Sequence, residues 1–278
     1  FKAVNLHDNE IVAIKKMKQK YRNWDDCLQL REVKSLRKLH HPNLIRLLEV
    51  LRIDEELYLV FDFYSSTFFK CTTTPRKKGG NSQRTKLSND AIRLRTIVYQ
   101  IAAGLGHLHR SGFFHRDMKP RTFCSEATPS SFAILGLQER LIEATLYRLR
   151  IYKVDRAPEL LLRSPVYNSP VDIFALGLIM AELYLLNPLL PGANEIDQLN
   201  KTVALLGTPK KASGPKAQTS NRTEYYSLAN LDYKFPECKK TQLYDLIPEA
   251  SAEAIDLMES MLQYSPRNRP SAADILKH

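Results

Sequence analysis

The chain has 278 residues, of which 44% are hydrophobic and 26% are charged, and its formal net charge is +11. This length suits one large domain or two small lobes that share a cleft, and the composition is ordinary for a globular protein. No apolar run is long enough to cross a bilayer, and no signal peptide is evident. We therefore expect neither a membrane partner nor a secretory route.

The positive charge has two interpretations. A nucleic-acid partner would explain it, but no nucleic-acid-binding motif accompanies the charge. A solvated basic face, or a surface that attracts acidic and phosphorylated groups, explains it equally well without such a motif. We therefore expect no nucleic-acid partner.

The cysteines indicate a reducing compartment. Cys27, Cys71, Cys124 and Cys238 are widely scattered and form no CxxC pair. Neither a zinc site nor a disulfide framework is indicated, and reduced intracellular thiols are expected. The expected location is therefore cytoplasmic or nuclear.

The first third of the chain predicts strands around one helix. A β-branched strand is expected at Ile11–Lys15. Apolar residues at helical spacing predict one helix over Trp24–Leu39, ended by His41-Pro42-Asn43. Two further strands are expected at Leu44–Leu51 and Leu57–Phe63, with a turn between them.

Helical patterns dominate the remainder of the chain. Helices are expected at Asp90–His109, Asp172–Leu186, Gln242–Leu246 and Ala252–Gln263. Three stretches lack any period and are predicted to be irregular: 65–86, 121–154 and 211–223. Strands followed by helices imply an α+β architecture, with a small β-rich lobe joined to a larger helical lobe.

Two motifs carry candidate chemistry. Val12-Ala13-Ile14-Lys15 places a lysine in a rigid strand, where it can hold phosphate groups, and Glu32 is its candidate acidic partner. Such a pair alone is weak evidence for a phosphate-binding site, because a strand of this kind with a later glutamate is common by chance. The run from His115 to Pro120, HRDMKP, is much stronger, since Asp117 in a loop can accept the proton of a hydroxyl group. A polar turn is the alternative interpretation, and the upstream Lys15 and Glu32 disfavour it.

Together these motifs resemble the catalytic domain of serine/threonine protein kinases. Longer matches narrow the resemblance to the RCK family of the CMGC group, which includes the male germ cell-associated and intestinal cell kinases. The matching stretches are 24–27, 30–36, 112–120, 179–184, 206–211 and 268–272. The resemblance implies a two-lobed kinase fold, with residues 1–63 in the small lobe and 64–278 in the large lobe.

The resemblance also implies partners and cofactors. ATP and Mg²⁺ would be the cofactors, and protein serine or threonine hydroxyls the substrates. An upstream activating kinase is a further implied partner. Relatives act in cilium regulation or meiosis, so a cilium-associated location is implied as well.

Residue roles follow from the same resemblance. Lys15 would hold the α- and β-phosphates of ATP, with Glu32 as its ion-pair partner. Asp117 would accept the substrate proton, and Lys119 would neutralise charge on the transferred phosphoryl group.

Other implied roles concern nucleotide contact and scaffolding. The residues implied at the adenine are Ala13, Phe61 and the backbones of Asp62 and Tyr64. Glu159 would form a buried ion pair with Arg269, and Asp172 would hold the catalytic loop. The implied roles of Glu159, Arg269 and Asp172 are structural.

The sequence departs from the family at its metal ligands. The family has asparagine where Thr122 stands and aspartate where Ile134 stands. A hydrocarbon cannot ligate Mg²⁺, which demands oxygen ligands in near-octahedral geometry. The chain also begins just beyond the expected glycine-rich loop, so we interpret it as a fragment. We expect catalysis to be impaired; the alternative is a pseudokinase that acts as a scaffold or binding module.

A shifted reading frame would explain these losses together. The residues from Pro120 to Cys124 can be encoded as CCG AGA ACC TTC TGT, which in another frame gives Glu-Asn-Leu-Leu, the missing family residues. The same shift over Ala133–Arg140 gives Asp-Leu-Gly-Leu-Ala-Arg-Glu, with its metal-binding aspartate. A further shift over Leu146–Lys153 gives a Thr-x-Tyr phosphorylation site. Sequencing error, a wrong gene model or a decaying pseudogene would each produce this pattern.

Overall fold

A four-stranded antiparallel sheet opens the chain. The computed structural model describes residues 1–64, 66–67, 91–120, 123–125, 132–134, 156–164, 166–209 and 235–278. The strands follow the order β1-β2-β4-β3 and comprise β1 (Lys2–Val4), β2 (Ile11–Lys20), β3 (Leu47–Ile53) and β4 (Glu56–Asp62). Strand β2 runs five residues further than Ile11–Lys15, because its pairing with β4 continues to Lys20 opposite Glu56.

The inner face of this sheet packs on the hydrophobic core. Leu57 and Leu59 lie two residues apart on the same face of β4, and both are completely buried. The hairpin from β3 to β4 turns through Asp54 and Glu55, whose φ angles are 49° and 66°. Two successive left-handed residues match the right-handed twist of the strands, as in a type I′ turn.

The predicted single helix over Trp24–Leu39 is wrong. The structure contains helix α1 (Trp24–Gln29) and helix α2 (Arg31–Leu36), separated at Leu30. Leu30 has an extended ψ of 127°, which interrupts the helical hydrogen-bond ladder. Cys27 and Val33 are both completely buried, so each short helix anchors itself in the core separately.

Helices dominate the second part of the chain. They are α3 (Ala91–Arg110), α4 (Pro158–Leu161), α5 (Pro170–Leu185), α6 (Glu195–Leu206), α7 (Leu243–Leu246), α8 (Ala252–Met261) and α9 (Ala272–Ile275). Helix α5 is buried on nearly all sides, which explains its almost continuous apolar sequence. The sequence analysis missed α6, although Asn194 caps it by accepting a hydrogen bond from the backbone of Asp197 at 2.9 Å.

A second, smaller sheet contradicts part of the predicted irregularity. Strands β5 (Ser66–Thr67), β6 (Phe123–Ser125) and β7 (Phe132–Ile134) pair in that order. Phe123 is only 1% exposed and belongs to the main core. The rest of the predicted irregular stretches, and the proposed frame-shifted segments around these strands, lie outside the described residues.

One hydrophobic core connects the sheet to the helices. It runs from Leu59 on β4 through Leu105 on α3 to Phe174 on α5, all completely buried. The predicted α+β, two-lobed architecture is confirmed. Among the residues that the structure describes, no helix has the length and apolar character needed to span a bilayer.

Candidate active site

Strand register brings three predicted nucleotide-contacting residues onto one face of the sheet. Ala13 on β2 lies opposite Phe61 on β4, and Lys15 lies opposite Leu59. Residues two apart along a strand share a face, so Ala13, Lys15 and Phe61 point to the same side as the buried Leu59. All three are half-buried. This is the side on which the core and the helices lie.

Asp62 at the end of β4 and Tyr64 just beyond it are the two residues whose backbones are predicted to contact adenine. The amide of Asp62 donates a hydrogen bond to the carbonyl of Arg46 at 3.3 Å, and the two side chains form an ion pair at 3.2 Å. Tyr64 and Phe61 pack against the buried Ile45. These contacts fix the course of the chain as it leaves the sheet.

Glu32 lies in the second residue of helix α2. Its side chain lies outside the described part of the structure, so the ion pair of Glu32 with Lys15 stays a prediction. The helix itself is anchored directly after Glu32 by the completely buried Val33.

The loop that carries Asp117 is held by a buried carboxylate. Asp172, 1% exposed in the first turn of α5, accepts hydrogen bonds from the backbone amides of His115 and Arg116, each at 2.7 Å. His109 at the end of α3 also contacts this carboxylate, at 2.9 Å. Three polar groups therefore converge on Asp172, and the backbone just before Asp117 is fixed to two helices.

The loop adopts a left-handed conformation at Arg116, whose φ is 69°. Such a conformation is costly for a residue other than glycine and persists where surrounding contacts over-determine it. Here the guanidinium lies 4.5 Å from the ring centre of Phe114 and 5.5 Å from that of Tyr167. The two rings meet edge to face, with centres 6.0 Å apart. The sequence analysis did not identify this aromatic shelf.

Asp117 and Lys119 form an ion pair at the surface of this loop. The Lys119 ammonium donates to Asp117 Oδ2 at 2.7 Å. The aspartate side chain is 35% exposed and that of the lysine 24%. A proton acceptor and a cation thus lie side by side, within reach of a ligand that approaches from solvent.

The predicted scaffold pair of Glu159 and Arg269 is bidentate. The two nitrogen–oxygen distances are 2.6 and 2.8 Å, and both residues are buried. The remaining N–H groups of Arg269 donate to the carbonyls of Pro170, Gln263 and Tyr264. This pair ties α4 to the segment that precedes α9.

One of the two residues at the predicted metal positions, Ile134, has a hydrocarbon side chain that cannot ligate Mg²⁺. Thr122 lies outside the described residues, and Ile134 ends strand β7 with its backbone opposite Phe123. Within the described part of the chain, no group of three or more His, Cys, Asp or Glu residues could hold a metal ion. Among the described residues, Asp117 is the carboxylate nearest to these positions along the chain, and it is already paired with Lys119.

A cavity of 590 Å³ follows the second half of β2. Lys15 and Met17 line it, together with Glu56, whose carboxylate pairs with Lys16 at 2.6 Å. Ala13, Phe61 and Asp117 are not among its lining residues. This cavity therefore meets the predicted nucleotide position at Lys15 and does not include the predicted adenine contacts Ala13 and Phe61.

Comparison with known proteins gives matches over the whole chain. The model of the protein kinase domain matches residues 1–278. The Homo sapiens serine/threonine-protein kinase MAK is 43% identical over 274 residues, which cover 97% of this chain and 41% of that protein. The Mus musculus serine/threonine-protein kinase ICK is 40% identical over 280 residues, which cover 99% of this chain and 41% of that protein. Cyclin-dependent kinase F-3 of Oryza sativa subsp. japonica is 36% identical over 282 residues, with 60% of its length covered.

Proposed function

Because the chain belongs to the protein kinase family, we propose that it is a serine/threonine protein kinase domain by descent, built to transfer the γ-phosphoryl group of ATP to protein hydroxyls. The observation that carries this proposal is the loop of Asp117 and Lys119, fixed to the buried Asp172. A kinase of this class depends mainly on positioning and charge neutralisation, and a rigid loop supplies both. The chain spans 41% of its mammalian relatives, so this proposal concerns the domain.

Asp117 acts in this proposal as the general base. Its Oδ2 accepts from Lys119, which leaves Oδ1 as an acceptor for the proton of a serine or threonine hydroxyl. Positioned proton transfer of this kind contributes about 10²–10⁴-fold to a rate. Lys119 stays protonated beside it and offsets negative charge that develops on the transferred group.

The small sheet would hold the nucleotide. Lys15 would contact the phosphates from the inner face of β2, with Glu32 as its partner. Ala13 and Phe61 would contact the adenine ring, and the backbones of Asp62 and Tyr64 would supply hydrogen bonds to its edge. ATP would supply the phosphoryl group.

We further propose that the chain as its sequence stands is catalytically impaired. The family uses a divalent metal to neutralise the phosphates, but Ile134 cannot ligate Mg²⁺, and Thr122 offers a hydroxyl where the family has an asparagine amide oxygen. Asp117 and Lys119 cannot offset that loss, because the charge to be neutralised is spread over several phosphate oxygens.

A pseudokinase is the second candidate function. Retention of Lys15, Glu32 and Asp117 together with loss of both metal positions favours it over an ordinary active enzyme. Such a protein would act as a scaffold or binding module. The nucleotide sequence across residues 120–156 separates the two candidates, because one-base shifts that restore the family motifs would make the losses artefacts or decay.

Partners and location follow from the same proposal. The substrates would be proteins, and an upstream kinase would phosphorylate the activation segment once that segment is in frame. A cytoplasmic, nuclear or cilium-associated site of action would fit these partners.

The test compares three forms of the chain for Mg²⁺-dependent phosphate transfer to a generic basic protein. They are the chain as it stands, a version with segment 120–155 in the corrected frame and a glycine-rich loop of the family added before Phe1, and that version with Asp117→Asn. We expect activity only in the second form. Robust turnover by the uncorrected chain, abolished by Asp117→Asn, would show that the metal positions have been misassigned. Inactivity of the corrected form would count against the kinase proposal itself.

A further inference from the structure

His41 and His107 bring two imidazole rings together where the sheet-bearing part of the chain meets helix α3. Their ring centres are 5.2 Å apart and their planes are tilted by 31°. His41 belongs to the loop between α2 and β3, whereas His107 lies in the last turn of α3. The neighbouring Asn43 extends the contact by donating to Gln100 on α3 at 3.3 Å. The pair therefore joins the two parts of the molecule.

The hydrogen bonds at this contact suit uncharged rings. Nδ1 of His41 accepts a hydrogen bond from the backbone amide of Asn43 at 3.1 Å, which requires a free lone pair on that nitrogen. Nε2 of His107 is buried and has no hydrogen-bond partner within the described residues. A proton added at Nδ1 of His41 would turn this acceptor into a donor that faces the Asn43 amide. Adding a proton to His41 thus opposes the contact.

The charged groups around His41 reinforce this preference. Burial, then His107, then Arg110 at the end of α3 lower the pKa of the His41 ring below its ordinary value of 6.5. On its other side His41 lines a cavity of 270 Å³ together with His40, Arg46 and Asp62. The Asp62 carboxylate is already paired with Arg46 at 3.2 Å, so it offers little compensation to a new positive charge on His41.

We propose that the contact between His41 and His107 is an acid-sensitive joint, in which protonation of His41 releases the His40–Asn43 loop from helix α3. The direction follows from linkage, because an open loop binds a proton at higher pH than the closed loop does. The joint is therefore closed above about pH 6.5 and opens progressively as the pH falls below it. This device does not depend on whether the protein transfers phosphate.

Hydrogen exchange of the intact chain tests the proposal. Exchange of amides in segments 38–47 and 98–112 is measured from pH 7.5 to pH 5.5 and divided by the intrinsic rate at each pH. One titrating group changes an opening equilibrium by at most about tenfold per pH unit, so we expect a three- to tenfold rise in opening at the acid end. His41→Gln leaves a side-chain oxygen acceptor beside the Asn43 amide but removes the titrating ring, and it should abolish most of this rise. His40→Gln is the matched control, because His40 is exposed beside the joint, and it should keep the full response.

Two results would overturn the proposal. One is an acid response that is unchanged in the His41→Gln chain or lost equally in the His40→Gln chain. The other is an NMR titration of the natural sequence that gives the His41 ring a pKa at or above the ordinary histidine value.

Discussion

The guanidinium of Arg269 shows how a single residue can hold a fold together. It donates five hydrogen bonds, two to Glu159 and three to backbone carbonyls, and its centre lies 4.9 Å from the ring centre of Phe174. All five N–H groups are satisfied, which is what makes the burial of this charge tolerable. Removal of one partner of Arg269 should therefore lower the free energy of unfolding strongly.

Glu159→Ala should lower the free energy of unfolding by about 3–5 kcal/mol, because it leaves the Arg269 charge buried without its counter-charge. The matched control is Glu195→Ala, which removes an ion pair with Arg163 at 3.4 Å whose arginine side chain is 66% exposed. That change should cost no more than about 1 kcal/mol. Urea unfolding followed by circular dichroism measures both, and equal losses would contradict the difference in burial.

Glu182 near the end of α5 should make stability depend on pH. Burial raises its pKa from 4.5 to about 7. Between these values the folded chain keeps a proton that the unfolded chain has released, so stability falls as the pH rises through this window. Glu182→Gln should remove this fall in stability. The free energy of unfolding of the variant, compared with that of the unaltered chain, should therefore be higher at pH 8 than at pH 5 by on the order of 2 kcal/mol. Denaturant unfolding across this range is the measurement, and exposed Glu253→Gln, which should show no such gain, is the control.

At the scale of the element, the turn of the hairpin from β3 to β4 has residues that are unfavourable in the conformation they adopt. Both Asp54 and Glu55 have positive φ, a conformation that glycine and asparagine adopt at lower cost. Asp54→Asn combined with Glu55→Gly should therefore raise the free energy of unfolding by about 1 kcal/mol. Glu55→Ala is the contrasting variant and should give no gain. A loss of stability in the Asn-Gly chain would show that the Glu55 side chain contributes more than its backbone costs.

Elements with a strong local pattern could be predicted from the sequence, and those decided by distant contacts could not. Helix α5 is nearly continuous in apolar residues and was located within two residues at its start. The interruption at Leu30 was missed because Cys27, Val33 and Leu36 fit one helix by spacing alone. The break depends on how each short helix reaches the core, which no local pattern records.

The candidate site divides in the same way. Ala13, Lys15 and Asp117 were identified because they lie in short motifs, and the strand register places the first two on one face. The aromatic shelf of Phe114 and Tyr167 was missed, since its members are 53 positions apart in the sequence and only the fold brings their rings together. Contacts of this kind follow from packing and leave no spacing signature.

At the scale of the whole molecule, the chain has the scaffold of a kinase, and we propose that its metal positions are altered. Asp172 and the pair of Glu159 and Arg269 hold the loop and the helices, and none of them needs a nucleotide to do so. Folding and metal-dependent nucleotide binding should therefore be separable properties of this chain. A scaffold can persist after the metal site is lost, either through decay of the gene or through a binding role.

Metal-dependent nucleotide binding should accordingly be absent from the chain as it stands and present when segment 120–155 is in the corrected frame. A ligand at 100 times its dissociation constant stabilises a folded protein by about 2.7 kcal/mol, which is a readily measured rise in melting temperature. We expect ATP with Mg²⁺ to produce this rise only in the corrected chain, because only there do the aspartate and asparagine of the family stand at the metal positions. Lys15→Met in the corrected chain is the control and should weaken the response, since it removes the cation on the inner face of β2. An equal Mg²⁺-dependent rise in the uncorrected chain would mean that other residues supply the metal ligands.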